Sequence, residues 1–217
     1  MVAIVDRENN VVGAATRREM RERALPHRAT YIVVENSQGE FYVQKRTMTK
    51  DVYPGYWDPV TGGVVQAGES YEESAVRELE EEMGITGVEL RFLFDFWFED
   101  GAKAPVWGRA FHCVWDGATR PQPEEVEYVE RMTRTQIEAR KDRLTPDGFE
   151  VMLRYWKRAA YARLVEARKA CRACRRLSNP SQWPEFDSDQ IGPWSLWRGN
   201  LEAQVMVVGQ DWGDIKY

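Results

Sequence analysis

Between residues 63 and 85 the chain reads GVVQAGESYEESAVRELEEEMGI, a stretch crowded with carboxylates. Helix formers dominate from Glu72 to Met83, so this part is expected to be helical. At about 100° per residue, Ala75, Val76, Leu79 and Met83 share an arc of roughly 100° that would pack on a sheet. Glu78, Glu81 and Glu82 occupy a second arc placed almost opposite, with the i, i+3, i+4 spacing that lets three carboxylates converge. Taken alone, such a face is a solvated acidic surface. Its surroundings add chemistry: Gly62 and Gly63 permit a tight turn, Gly68 permits a second, and Glu69 stands ahead of the helix within reach of the cluster. Arg77 can neutralise and orient the carboxylates. Hard oxygen donors in this number suit Mg²⁺ or Mn²⁺, which bind through a few carboxylates and keep positions for water and phosphate oxygens.

Those residues need a rigid frame. The 217-residue chain is 43% hydrophobic and 30% charged, enough apolar content for a sizeable core, which excludes a disordered or collagen-like polymer. Its apolar runs are far shorter than the roughly 20 residues of a membrane span, and the charged start MVAIVDRENN is unlike a signal peptide. A soluble, cytoplasmic protein is expected, without membrane association. Strand-like stretches flank Glu8-Asn9-Asn10, Asn36-Ser37-Gln38-Gly39 and Glu99-Asp100-Gly101, a pattern of hairpins. TRREMRERAL reads as a short helix, and from Thr145, a possible cap, with Pro146 at the first helical position, a longer helix begins. The expectation is an α/β fold with a mixed sheet. The N-terminal hairpin would leave an open edge, which makes a homodimer plausible.

The spacing G-x5-E-x7-R-E-U-x-E-E-x-G-U, with U apolar, is met by Gly63, Glu69, Arg77, Glu78, Leu79, Glu81, Glu82, Gly84 and Ile85, and it resembles the Nudix hydrolase signature. The resemblance implies a Nudix α/β/α sandwich over residues 1–168 and metal-dependent hydrolysis of a small-molecule diphosphate, such as a nucleoside diphosphate derivative. On that reading Glu78, Glu81 and Glu82 hold Mg²⁺ (or Mn²⁺), Glu69 is an auxiliary ligand, and Arg77 keeps the glutamates in register. Arg77, Glu78 and Glu81 then belong to the catalytic group. The general base is a motif glutamate or one from PEEVEYVE, where Glu125, rather than Glu124 or Glu127, best resembles the family's extra acidic residue. Lys45, Arg46 and Trp57, with Gly62 and Gly63, are the expected substrate-binding residues; Trp107 is a second aromatic that could stack, and His27 is either polar core or a site residue.

The segment HRATYIVVENSQGEFYVQKRTMTKDVYPGYWDPVTGG further resembles the branch containing isopentenyl-diphosphate isomerase. The isomerase cysteine would fall at Gly62 and its metal-binding histidine at Val64, so hydrolysis is expected and isomerisation is not. A non-catalytic nucleotide-binding module is the other alternative, although such modules often lose motif glutamates and none is lost here.

Charge marks a boundary. Residues 1–150 carry a net −9, residues 151–176 a net +8 and residues 177–217 a net −4. Residues 169–217 contain Cys171 and Cys174 in a C-x-x-C spacing and end an apolar stretch with Gly209-Gln210-Asp211, which resembles the start of a uracil-DNA glycosylase superfamily domain. An incomplete, linker-like C-terminal segment is therefore expected, with nucleic acid a partner only if a longer fusion supplies the rest. Two cysteines are too few to close a zinc or cluster site. Cys113 lies in an apolar run and is expected in the core.

Overall fold

Side-chain turns start the sheet. Asp6 accepts from the backbone N–H groups of Glu8 (3.0 Å) and Asn10 (2.8 Å), and Asn9 takes φ 66°, so the chain reverses between β1 (Val2–Val5) and β2 (Val11–Ala15). Asn36 does the same for Gln38 and Glu40, joining β3 (His27–Glu35) to β4 (Phe41–Arg46). Between the hairpins lies α1 (Arg17–Glu22), opened by a reciprocal cap between Thr16 and Glu19. The computed structural model describes residues 1–101 and 104–170.

β3 is the centre of an eight-stranded mixed sheet. One of its edges runs parallel to β7 (Val106–Val114) from His27↔Val106 to Glu35↔Val114. Its other edge meets β1 at His27 and β4 at Glu35, and the gap between them is filled by residues 61–65. β6 (Arg91–Phe98) extends the sheet from β7, while β5 (Trp57–Asp58) and β8 (Val126–Met132) pair with β4. A strand covered on both faces should read as a continuous apolar run, and Tyr31 to Val34 are all buried.

The alternation of β3 divides its contacts between two layers. Ile32 and Val34 join Leu79, Met83 and Phe111 in the core beneath α2 (Tyr71–Met83). Tyr31 points the other way, donating to Asp147 at 3.0 Å in the first turn of α4 (Pro146–Ala170) and packing against Phe96. Thr145, just before α4, donates its hydroxyl to Asp58 at 2.9 Å, which fixes the helix start to β5. A short α3 (Arg134–Glu138) links β8 to this region. Met1–Arg154 form one compact unit, and the remainder of α4 from Tyr155 falls in a second. None of the described helices is long and apolar enough to cross a membrane. Cys113 is buried in the core, where desolvation pushes its thiol up to about 12. Cys171, Cys174 and the Gly209-Gln210-Asp211 stretch lie outside the described residues.

α2 begins at a Ser70–Glu73 capping box and ends at Gly84, whose φ of 66° lets its N–H reach the Glu80 carbonyl at 2.8 Å. Its buried face differs from the expected one. Tyr71, Ser74, Ala75, Glu78, Leu79, Glu82 and Met83 are buried, whereas Val76 is 55% exposed. On a helical wheel Glu82 lies only about 20° from Ala75, so the acidic and apolar arcs adjoin rather than oppose each other. The acidic residues thus enter the packed face, with Glu81 left outside it. Leu79→Ala is expected to cost about 2–5 kcal/mol in urea unfolding, and Val76→Ala within about 0.5 kcal/mol. Equal costs would refute this assignment of faces.

Candidate active site

The gap in β3 shapes the site. Ile32 donates to the Thr61 carbonyl at 2.6 Å, Thr61 to the Ile32 carbonyl at 2.9 Å, Thr30 to that of Gly63 at 2.9 Å, and Val65 to that of Arg28 at 2.9 Å. The segment is thereby pressed between β3 and the carboxylates of α2. At Gly62, φ is 150° and a Cβ would stand 2.0 Å from the Thr30 carbonyl oxygen; at Gly63 a Cβ would meet the Glu78 carboxyl at 2.6 Å. Glycine is required at Gly62 by backbone contact and by its φ, whereas a side chain at residue 63 would have to displace the Glu78 carboxyl.

Arg77 gathers one side of the cluster. Its Nε and Nη2 donate to the two oxygens of Glu69 at 2.8 and 3.0 Å, and its Nη1 to Glu78 at 2.7 Å and Glu81 at 3.1 Å. The hydrogen bonds from Arg77 hold the Glu69 carboxyl below its usual range. Glu78 is pushed up, because burial outweighs the Arg77 pairing. Glu82 is 4% exposed and likewise raised by desolvation, although it accepts from Gln44 (3.1 Å) and the Gly62 N–H (3.3 Å). Lys50 closes the other side, its ammonium pairing with Glu125 and lying 3.5 Å from Glu82. Burial opposes ionisation of Glu125, but Lys50 outweighs it and lowers the carboxyl.

These groups line a cavity of about 1010 Å³. Arg46, Gly62, Gly63, Arg77, Glu78, Glu81, Glu82 and Glu125 are brought to it, and Glu69 is tied in through Arg77. Lys45 and Trp57 are not among its lining residues. On β4 the alternation turns Gln44 and Arg46 to the cavity side, so Lys45 projects from the other face, where it donates to the Gly55 carbonyl and lies over Trp57. Trp57 also packs edge-on against Tyr128. Trp107 is likewise outside the lining, its indole N–H donating to the Arg7 carbonyl. Arg46 is committed, donating to Asp58 at 3.1 Å and to the Val52 carbonyl at 2.8 Å.

Lys50, Asp58 and Asp147 also line the cavity and were not singled out from sequence, because they sit in or beside loops where no period marks them. Gln44, which holds Glu82 from behind the lining, follows from strand alternation with Arg46. Asp58 is pushed up to about 6 by burial, against the pull of Arg46.

The donor set fits a hard divalent cation in kind: Glu78 and Glu82 are buried, and positive charge would stabilise their ionised forms. Among the described residues no three acidic, cysteine or histidine side chains already stand in ligating geometry. Arg77 and Lys50 occupy their oxygens instead, so a metal must draw the carboxylates away from these two cations.

Comparison with known proteins agrees with this architecture. Residues 25–155 match the NUDIX domain, and the chain belongs to the Nudix family. It is 46% identical over 169 residues to the uncharacterized Nudix hydrolase YfcD of Escherichia coli K12, covering 78% of this chain and 93% of that protein. An uncharacterized Nudix hydrolase of Yersinia pestis is 48% identical over 151 residues, or 70% of this chain and 82% of the relative. Among solved structures, DR0079 of Deinococcus radiodurans superposes with a TM-score of 0.56 at 26% identity, over 65% of this chain and 88% of its own. The NUDIX domain of Shewanella oneidensis NrtR, solved with ADP ribose, shares the fold with a TM-score of 0.51 at 15% identity, over 61% and 86% of the two chains. Nudix enzymes as a family generally use divalent metal ions.

His27 also lines the cavity, and burial lowers its pKa from 6.5 to about 4. Between those values the unfolded chain takes up a proton that the folded ring refuses, so this residue withdraws stability as the pH falls from 6.5 to 4. Asp58 acts with opposite sign: its raised pKa adds stability as the pH falls through 6. The difference between the parent and His27→Gln isolates the histidine. Between pH 7 and 4 the parent is expected to lose up to about 3 kcal/mol relative to the variant in urea titrations. A pH-independent difference would show that the ring is not desolvated.

Proposed function

We propose that this chain is a Mg²⁺- or Mn²⁺-dependent pyrophosphohydrolase that cleaves the phosphoanhydride of a nucleoside diphosphate derivative. The observation that carries the reading is the pair of buried carboxylates, Glu78 and Glu82, at the wall of a cavity with Arg77 and Lys50 as their counter-charges. Glu78, Glu81 and Glu82 would hold the ion, with Glu69 in an auxiliary role. A bound ion would polarise phosphate oxygens and ease deprotonation of a water molecule. Arg77 keeps Glu69, Glu78 and Glu81 in register through its fork. Glu125, kept ionised by Lys50, is the proton acceptor for the attacking water. With an ion held by these carboxylates, Arg77 and Lys50 would be available to pair with the diphosphate.

Hydrolysis is favoured over isomerisation by the contact at residue 62. A cysteine there would place its Cβ against the Thr30 carbonyl, so this backbone has no room for the isomerase acid. The NrtR domain binds ADP ribose, a diphosphate of the class proposed here. The C-terminal segment from residue 169 is read as a linker and an incomplete segment that follows the Nudix domain.

Phosphate-product release across nucleoside di- and triphosphates, nucleotide sugars and dinucleotides is expected only with Mg²⁺ or Mn²⁺. Glu82→Gln should lower turnover at least about 100-fold while retaining the far-UV circular dichroism of the parent. An unchanged rate in that variant, or turnover in the presence of chelator, would overturn the metal-site assignment.

A further inference from the structure

The cavity has a second end with a chemistry of its own. β3 sends His27, Ala29 and Tyr31 to it on alternate positions, and the first turn of α4 adds Asp147. On β3 and α4 the uncommitted hydrogen-bonding atoms at this end are acceptors. The Tyr31 hydroxyl donates to Oδ2 of Asp147, so its proton is spent and its oxygen is left as an acceptor. The other oxygen of Asp147 has no donor among the described residues. His27 Nδ1 lies 3.3 Å from the Leu25 carbonyl, which can only accept; Nδ1 therefore carries the proton, and Nε2 of the neutral ring is an acceptor. Met20, Phe98 and Val106 supply apolar walls around these three acceptors.

A group that pairs with these three acceptors must bring its own donors. An ammonium is disfavoured, because Arg17 and Arg21 also line the cavity and act on His27 with positive charge. A prenyl chain would cover the acceptors without pairing them, an arrangement that binding selects against. Resting on the diphosphate-hydrolase reading above, we propose that the Tyr31–Asp147–His27 end of the cavity is a hydroxyl-recognition subsite that selects substrates whose diphosphate is attached to a ribosyl diol. The metal-side residues then act on the diphosphate, and this end sets which diphosphates enter.

The test compares ADP with 2′,3′-dideoxy-ADP, which carry the same charge and base and differ only in the two hydroxyls. Kd is measured by calorimetry on the full chain with Ca²⁺, and kcat/KM with Mg²⁺. The parent should favour ADP at least about tenfold in Kd, and should bind geranyl diphosphate more weakly than ADP. In Asp147→Asn, and separately in Tyr31→Phe, the preference for ADP over its dideoxy analogue should fall to within about twofold. Equal binding of the two nucleotides by the parent, binding of neither, or a preference that survives both substitutions would overturn the inference. The underlying hydrolase reading fails differently: a hydroxyl preference in Kd with no metal-dependent cleavage would leave the subsite standing and remove the reaction.

Discussion

Gathering Glu78 and Glu82 at the edge of an apolar core sets like charges close together with little water to screen them. Both carboxyls are raised by that desolvation, and Arg77 and Lys50 are the counterweights. Breaking a buried pair of this kind typically costs about 3–5 kcal/mol, because the remaining charge is stranded. The arrangement is therefore stable only while each carboxylate has a cation. On the proposed reading, a divalent ion would take over the charge balance that the two side chains now provide.

The fold supplies this arrangement through an interruption in hydrogen bonding. β3 has a complete parallel partner in β7 on one edge but only end contacts with β1 and β4 on the other. The vacant middle must be satisfied, and residues 61–65 do so with backbone bonds. That path brings residue 62 against the Thr30 carbonyl at a distance no side chain tolerates, so Gly62 is a consequence of the sheet topology. The same path aims the Gly62 N–H at Glu82, which links the backbone ladder directly to the acidic cluster.

Much of this was legible in the sequence because it is local. The turns at Glu8-Asn9-Asn10 and Asn36-Ser37-Gln38-Gly39, the short helix in TRREMRERAL and the helix expected from Glu72 to Met83 depend on near neighbours, and each formed where its residue types require. The orientation of α2 was less legible: apolar residues alone place the buried arc about Leu79, whereas the charges on Arg77 and Lys50 allow that arc to extend over Glu78 and Glu82. Lys45 and Trp57 show a similar limit. A cation and an aromatic beside a motif suggest substrate contacts, but the parity of β4 sends Gln44 and Arg46 inward and Lys45 outward. Lys50 follows no period at all, and only the path of the loop from residue 47 to 56 carries it to Glu125 and Glu82.

The part of the chain that matches the family begins at residue 25, yet the cavity does not. Met1 and Val2 at the start of the hairpin, and Arg17, Met20 and Arg21 on α1, also line it. The motif glutamates and the glycine path are built from elements inside the matched region. The walls come partly from an N-terminal hairpin, joined to β3 through β1, and from α1. On the proposed reading, reaction and selection fall to different layers of one cavity, with β3 as the strand they share: its backbone holds the glycine path, and His27, Ala29 and Tyr31 face the cavity.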